Sequence, residues 1–167
     1  GPIHGYIYLH RNTGANEAPA YAEPVPVEAG GRRIDLRGSP CPNPVDWFGN
    51  GRIDLVGGDF VDTITLFRNN GRDLDAGQLL AIHGEVLHFD LCMIQPRVVY
   101  WHPDGRPSLL VGEEGGAVSL VENLAPRGRE PRLAAPKYLE QLDPYVKSGS
   151  LIRPVAFDWN GDGRLDI

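Results

Sequence analysis

The sequence is poor in several residue types, and each shortage excludes a class of protein. Only Cys41 and Cys92 are cysteines among 167 residues, so a disulfide framework is excluded, and one pair does not identify the redox compartment. No apolar run approaches the roughly 18 residues of a membrane-spanning helix, so we expect no membrane span. The net charge is −6, and phosphate binding needs a clustered basic surface, so we expect no nucleic-acid partner.

Helix signals are also scarce, whereas turn residues are abundant. The chain carries 21 glycines and 15 prolines, which separate short runs of β-branched and aromatic residues, as in antiparallel strands joined by tight turns. One stretch, 137–142, has the length of a helical turn, but Pro136 and Pro144 confine it, and we interpret it as an outer strand or loop. The pattern predicts an all-β fold, and the length allows one domain with a sizeable core.

A long-period repeat organises the chain. Its four related segments, the first and last of them incomplete, are 5–14, 44–71, 98–123 and 156–167. Asn12, Asn69 and Asn123 mark equivalent positions that are 57 and 54 residues apart, and Asp46 to Asp158 spans 112 residues, or twice 56. Such a period with about four short strands is typical of a propeller blade, which buries its faces only by stacking on neighbours.

We therefore expect a β-propeller segment of about three four-stranded antiparallel blades, all in one domain over 1–167. Its expected parts are the end of a first blade at 1–14, blade cores at about 41–71 and 95–124, and the start of a fourth blade at 153–167. About three blades are too few to close, since propellers typically have four to eight. We expect a ring of roughly six to eight blades, completed by further parts of the same polypeptide or by other copies.

The segment Asp158-Trp-Asn-Gly-Asp-Gly-Arg-Leu-Asp166 carries the most specific motif in the chain. A good copy begins at Asp46 and a weaker one at Tyr100, and the Asp46 copy continues through a Gly-rich hairpin into Arg68-Asn-Asn-Gly71. This combination resembles the FG-GAP/VCBS repeat family of β-propellers. The resemblance implies a propeller fold, and it extends both to extracellular polysaccharide lyases, such as ulvan lyases, and to non-catalytic binding or adhesion modules.

The Asp158 loop has side-chain oxygens at positions one, three, five and nine, with a glycine at position six for the sharp turn. Hard oxygen donors in this order suit calcium. The expected ligands are Asp158, Asn160, Asp162, Asp166 and the backbone carbonyl of Arg164. An EF-hand is not expected, because a strand pattern precedes the loop and the sequence ends at position ten, before the acid that an EF-hand has at position twelve. The alternative is an Asp/Asn/Gly turn without a metal.

The other two loops are poorer in oxygen ligands. The second loop keeps Asp46, Asn50 and Asp54 but has Phe48 at position three, so it is a weaker calcium candidate. The third loop has too few carboxylates for calcium, and we expect no metal there; the residues at its four ligand positions are Tyr100, His102, Asp104 and Ser108.

Residues with acid–base chemistry concentrate around the third repeat. A uronate lyase, which cleaves by β-elimination, needs a base for the proton beside the sugar carboxylate, a cation for that carboxylate and an acid for the leaving oxygen. His88 or His102, Arg97 and Tyr100 are of these types, and their chemistry and proximity make them catalytic candidates. The alternative is that they are surface or core residues of a scaffold that binds glycan or protein without catalysis.

The two cysteines precede equivalent inner strands by similar numbers of residues, so we expect Cys41 and Cys92 to lie close together. With His88 they offer suitable ligand types for zinc, although the spacing matches no recognised zinc finger. Two buried free thiols are the alternative.

The three tryptophans, one per loop, share a single repeat position, which indicates packing or loop support rather than glycan stacking; they are Trp47, Trp101 and Trp159.

Calcium is abundant outside the cytoplasm, so we expect an extracellular, secreted or cell-surface protein. The resulting hypothesis is a calcium-binding propeller segment of a polysaccharide-acting protein, with polysaccharide or glycan as partner. It is either a uronate-polysaccharide lyase or a non-catalytic binding scaffold.

Overall fold

The computed structural model describes residues 4–140, 149 and 151–167, and every regular element among them is a β-strand. The strands are β1 (Tyr8–Leu9), β2 (Val25–Pro26), β3 (Glu28–Ala29), β4 (Arg32–Arg33), β5 (Cys41–Val45), β6 (Asp54–Gly58), β7 (Ile64–Phe67), β8 (Gln78–Leu79), β9 (Ala81–Ile82), β10 (Glu85–Val86), β11 (Gln95–Val99), β12 (Ser108–Gly112), β13 (Val118–Val121) and β14 (Lys137–Tyr138). The all-β prediction is confirmed. Within the described ranges no helix is long and apolar enough to cross a membrane.

Two four-stranded antiparallel sheets form the centre of the structure. Sheet A has the order β5-β6-β7-β8 and sheet B the order β11-β12-β13-β14, so each strand pairs with its neighbour in sequence. The registers correspond, because Cys41 pairs with Gly58 in sheet A and Gln95 pairs with Gly112 in sheet B. The first three strands of each sheet fall within the ranges predicted for two blade cores. Residues 137–138, expected in an outer strand or loop, form the outer strand of sheet B, whereas 141–142 lie outside the described residues.

Partial copies of the same sheet lie on either side of this pair. On the N-terminal side, β1 and β2 pair in the register of β7 and β8, with Tyr8 opposite Pro26. On the C-terminal side, one antiparallel bridge joins Phe157 to Asp166 at the position where the first two strands of sheets A and B begin to pair. The hairpins β3–β4 and β9–β10 follow β2 and β8. The repeat read from the sequence is therefore present in the strand pairing.

Apolar side chains pack in three layers between consecutive sheets. The middle layer joins sheet A to sheet B through residues that include Trp47, Val56, Ile64, Ile94, Leu109 and Val111. A second layer lies between β1 and sheet A and includes Ile7, Leu36, Leu55 and Phe67. A third lies on the other face of sheet B and includes Val99, Leu110 and Leu120. Neighbouring residues of one strand face different layers, as the two-residue period of a strand requires.

The close approach of the sheets depends on a glycine at the end of β6. A Cβ on Gly58 would lie 2.5 Å from Cδ of Pro96 and 2.7 Å from the carbonyl oxygen of Ile94. The equivalent Gly112 of β12 faces the Ile152 carbonyl and the Pro154 ring in the same way. Real Cβ atoms do not tolerate such distances, so these positions admit only glycine without a backbone shift.

The tryptophans differ in burial, although they share one repeat position. Trp47 is 1% exposed and belongs to the middle layer, and Trp101 is partly buried against the third layer. Trp159 is 84% exposed, so of the two expected roles, packing and loop support, it does not pack among the described residues. Its sheet consists, in the described residues, of the single bridge at Phe157, and no strand among them covers the indole ring.

Candidate functional site

The loop from Asp158 to Asp166 is built around the carboxylate of its first residue. Asp158 Oδ1 accepts hydrogen bonds from the backbone N–H groups of Gly161 (2.7 Å) and Asp162 (3.1 Å), and Oδ2 accepts one from Gly163 (2.9 Å). Gly161 and Gly163 have φ of 75° and 82°, a region that glycine enters without strain. The carboxylate therefore fixes the turn on which the other oxygen-bearing side chains stand.

The loop after β5 repeats this arrangement. Asp46 accepts hydrogen bonds from the N–H groups of Asn50 (2.9 Å) and Gly51 (3.0 Å), which are the repeat equivalents of Asp162 and Gly163. The loop after β11 has Tyr100 in place of the first aspartate, so the hydrogen bonds to that carboxylate are lost. The loop that begins at Tyr100 thus differs from the other two in hydrogen bonding because its first residue is not an aspartate.

The aspartates at position nine have one role in both loops. Asp166 Oδ2 accepts the N–H of Trp159 at 2.9 Å, and Asp54 Oδ2 accepts the N–H of Trp47 at 3.0 Å. Each aspartate thereby closes its loop across the base. Each of these hydrogen bonds uses one oxygen of its carboxylate. Because a carboxylate has two oxygens with about four acceptor positions, each aspartate can accept from a further partner as well.

The donor set of the last loop fits calcium in type. Three carboxylates and one amide stand at its ligand positions, and Asn160, Asp162 and Asp166 are exposed to solvent. The side chains also bond one another, since Asn160 Nδ2 donates to Asp162 Oδ2 at 3.2 Å. Among the described residues no three His, Cys, Asp or Glu side chains are grouped so that they could hold a metal ion. Calcium stays a prediction, supported by the residue types and the shape of the loop backbone.

Two ligand positions of the second loop serve the fold instead. Asp54 is fully buried, and its second oxygen accepts the N–H of Asn69 at 2.7 Å. Phe48 at position three is 4% exposed, and the guanidinium of Arg68 lies 4.0 Å from its ring centroid. Because Asp54 and Phe48 make these contacts, the loop that carries Asp46, Asn50 and Asp54 is the weaker candidate for calcium.

The four proposed catalytic residues are distributed along β11 and beyond both of its ends. His88 lies before β11, where its Nδ1 is 3.0 Å from Asp62 Oδ2 at the β6–β7 turn. Tyr100 and His102 follow β11 at the opposite end, and Arg97 lies in the middle of that strand. A five-residue strand is about 16 Å long, so His88 stands about the length of β11 away from Tyr100 and His102.

His102 and Tyr100 border a groove between the loop that begins at Tyr100 and the loop that begins at Asp158. Its volume is about 500 Å³, and Trp101, Arg164 and Leu165 also line it. His102 Nε2 lies 3.1 Å from Glu122 Oε1, out of line for a hydrogen bond. The groove therefore joins aromatic and basic side chains, but His88 is not among them.

The two thiols are free and have different partners. Cys41 is buried, and its Sγ contacts the carbonyl oxygen of Pro96 at 3.5 Å, whereas the Cys92 thiol donates to Glu114 Oε2 at 2.8 Å. Burial raises the pKa of the Cys41 thiol, and the hydrogen bond to Glu114, with burial, raises that of Cys92. Both thiols are therefore poor nucleophiles. The zinc candidates Cys41, His88 and Cys92 form no metal-holding group in the described part of the chain.

Sequence reasoning missed a buried charge at the β6–β7 turn. Asp59 is 2% exposed, and its Oδ1 accepts the N–H groups of Val61, Asp62 and Thr63 while Oδ2 binds the Thr63 hydroxyl and Arg37. Burial alone would raise the pKa of Asp59, but these hydrogen bonds and the guanidinium outweigh it and lower the pKa. The sequence did contain one indication of this buried charge. Asp59 and Glu113, both buried, directly follow the equivalent glycines Gly58 and Gly112 of the repeat.

Comparison of the chain with protein-family models, curated protein sequences and solved structures gave no significant match.

Proposed function

We propose that this chain is a segment of a calcium-stabilised β-propeller of the FG-GAP/VCBS type, which serves as a non-catalytic scaffold of an extracellular protein that binds glycan or protein. The observation that supports it is the shared hydrogen bonding of the Asp46 and Asp158 loops, each at the start of an equivalent sheet. Equivalent hydrogen bonds in two loops of one chain are expected when the chain is built from stacked structural repeats.

The packing of the sheets also supports the proposal. Sheets A and B stack face to face through an apolar layer, and further layers cover the opposite face of each sheet. Backbone conformation repeats as well: Ser39, Met93 and Leu151, which precede β5, β11 and the equivalent segment 153–157, have φ of 41°, 54° and 60°. Further units of the same kind, from the same polypeptide or from other copies, complete the proposed ring.

In the proposal, calcium is held by Asp158, Asn160, Asp162, Asp166 and the carbonyl of Arg164. The ion supplies the positive charge that lets the three carboxylates converge without mutual repulsion. Asp158 orients the loop through its three backbone hydrogen bonds, and Asp166 anchors the base of the loop on the Trp159 amide.

A scaffold is favoured over a lyase by the separation of the catalytic candidates. β-Elimination needs the base, the carboxylate-binding cation and the acid around one sugar residue. β11 separates His88 from Tyr100, so His88 does not complete such a set. With His102 as the base, His102 and Tyr100 line one groove. Arg97 lines a separate cavity with Pro154, so the proposed cation does not stand in that groove. Incubation of the chain with uronate polymers is expected to give no absorbance from unsaturated product, and a progressive rise would contradict the scaffold.

Calcium binding to the purified chain by isothermal titration calorimetry tests the site. We expect one ion per chain with a dissociation constant of about 10⁻⁴–10⁻³ M, as for extracellular modules. The double variant Asp158→Asn/Asp162→Asn should weaken binding at least tenfold, since two of three carboxylates are neutralised.

Asp46→Asn is the matched control, because residue 50, the equivalent of Asp162, is already asparagine, so this one change gives the second loop the same residues at positions one and five as the double variant. It should leave calcium affinity unchanged. Absence of binding by the unaltered chain, or an equal loss in the control, would contradict the assignment to residues 158–166.

A further inference from the structure

The loop between β13 and β14 of sheet B lies on the Asp46 loop of sheet A. The guanidinium of Arg127 is 3.7 Å from Asp46, measured from Nη2 to Oδ2. Three residues further on, Glu130 forms an ion pair of 2.6 Å with Arg68, the residue that stacks on Phe48. Two charged contacts of opposite polarity thus join the loops of consecutive sheets.

A glycine makes room for this arginine. A Cβ on Gly49 would collide with Nε of Arg127 and would lie 2.9 Å from its Cγ. The space above the Asp46 turn is therefore filled by an arginine side chain of the following repeat.

We propose that Arg127 is a built-in cation for the Asp46 loop, which receives a guanidinium from the following repeat in place of a metal ion. The carboxylate of Asp46 holds its own turn through the N–H groups of Asn50 and Gly51, and Arg127 offsets its charge. We call this contact between the Asp46 loop of sheet A and the β13–β14 loop of sheet B the latch. The latch does not depend on calcium at residues 158–166.

Gly49 and Gly51 allow a matched test within one loop. Both have left-handed φ, 65° and 79°, so alanine causes similar backbone strain at each, but only Gly49 lies beneath Arg127. Thermal unfolding is measured in EDTA, which removes any contribution of calcium. We expect Gly49→Ala to lower Tm by about 2–4 °C more than Gly51→Ala, the shift that about 1 kcal/mol produces in a chain of this size.

The same two substitutions in an Arg127→Ala background separate the contact of Arg127 from other effects of residue 49. Alanine removes Cγ, Cδ and Nε, the three atoms that a Cβ on Gly49 would meet, together with the charge. Gly49→Ala and Gly51→Ala should then lower Tm equally. Asp46→Asn and Arg127→Ala should also be non-additive in a double-mutant cycle. Equal effects of the two alanines in the unaltered chain, a difference that survives Arg127→Ala, or additivity of the cycle would overturn the proposal.

Discussion

At the scale of single residues, the buried carboxylate of Asp59 shows how a charge is accommodated without a metal. Three N–H groups, one hydroxyl and Arg37 surround it at 2.7–3.0 Å. Hydrogen bonds to a charged acceptor are stronger than those between neutral groups, which is why the pKa falls despite burial. A lowered native pKa means that the unfolded chain binds protons more tightly, so this residue stabilises the fold above the pKa of the unfolded carboxyl.

The first prediction concerns acid stability. Stability from Asp59 should be complete above about pH 5 and should be lost as the pH falls through the unfolded and then the native pKa. Asp59→Asn should lower the free energy of unfolding by about 1–3 kcal/mol at neutral pH and should flatten its dependence between about pH 2 and 5. Urea unfolding at a series of pH values measures this, with the exposed Glu23→Gln as control. An unchanged pH profile in Asp59→Asn would contradict the prediction.

The tryptophans give a second prediction at this scale. Trp159 should account for most of the acrylamide-quenchable fluorescence, because it is 84% exposed while Trp47 is 1% exposed. Trp159→Phe should remove that component with no effect on Tm. Trp47→Phe should leave the quenchable component intact and should lower stability by creating space in the middle layer. Equal quenching in the two variants would show that the environments are not as described.

At the scale of elements, packing of one sheet on the next depends on backbone contact as much as on apolar side chains. The end of β6 touches β11 at Gly58, and Asn43 of β5 donates to the Pro96 carbonyl at 2.8 Å. An added side chain at Gly58 has to displace backbone, which moves less readily than a side chain does. The inner strands are therefore matched in shape as well as in hydrophobicity.

Gly58→Ala tests this contact. We expect a loss of about 1–3 kcal/mol in the free energy of unfolding, typical of overpacking, because the new methyl group meets Pro96 and the Ile94 carbonyl. Gln78→Ala on the exposed strand β8 of the same sheet is the control and should change stability by less than about 0.5 kcal/mol. Denaturant unfolding compares the two. Equal stability of both variants would show that the sheets can separate at this point without cost.

At the scale of the whole molecule, burial is concentrated in the centre of the chain. β6, β7 and β12 are buried at every residue, whereas β1, β2 and β14 are exposed. The C-terminal segment also carries exposed apolar side chains, including Val155, Phe157 and Ile167. The free energy of local opening should follow this gradient, because it depends on the apolar surface that each segment buries.

Native-state hydrogen exchange followed by mass spectrometry tests the gradient. Peptides that cover β6–β7 and β12–β13 should exchange last and together, through opening of the middle apolar layer. Peptides from residues 5–26 and 151–167 should exchange first. Uniform protection along the chain, or slow exchange at 151–167 in the absence of calcium, would contradict the distribution of burial.

The repeat period, the short apolar runs and the Gly and Pro clusters determined the all-β class and the position of two four-stranded units, because strand alternation and turn chemistry are local properties of the chain. The loop from Asp158 to Asp166 was also predictable as a tight turn, since Asp and Asn bond nearby backbone N–H groups. The occupancy of that loop by calcium stays a prediction.

Only the tertiary structure decided which partners meet across the sheets. Arg127 reaches Asp46, Arg37 reaches Asp59 and Asp62 reaches His88 from distant parts of the chain. It also placed the acid–base residues at opposite ends of β11, although they are close in sequence. The physical reason is that a strand extends by about 3.3 Å per residue, so residues only a few positions apart can lie at opposite ends of a sheet. Stacking of consecutive sheets has the opposite effect, because it brings residues that are tens of positions apart into contact.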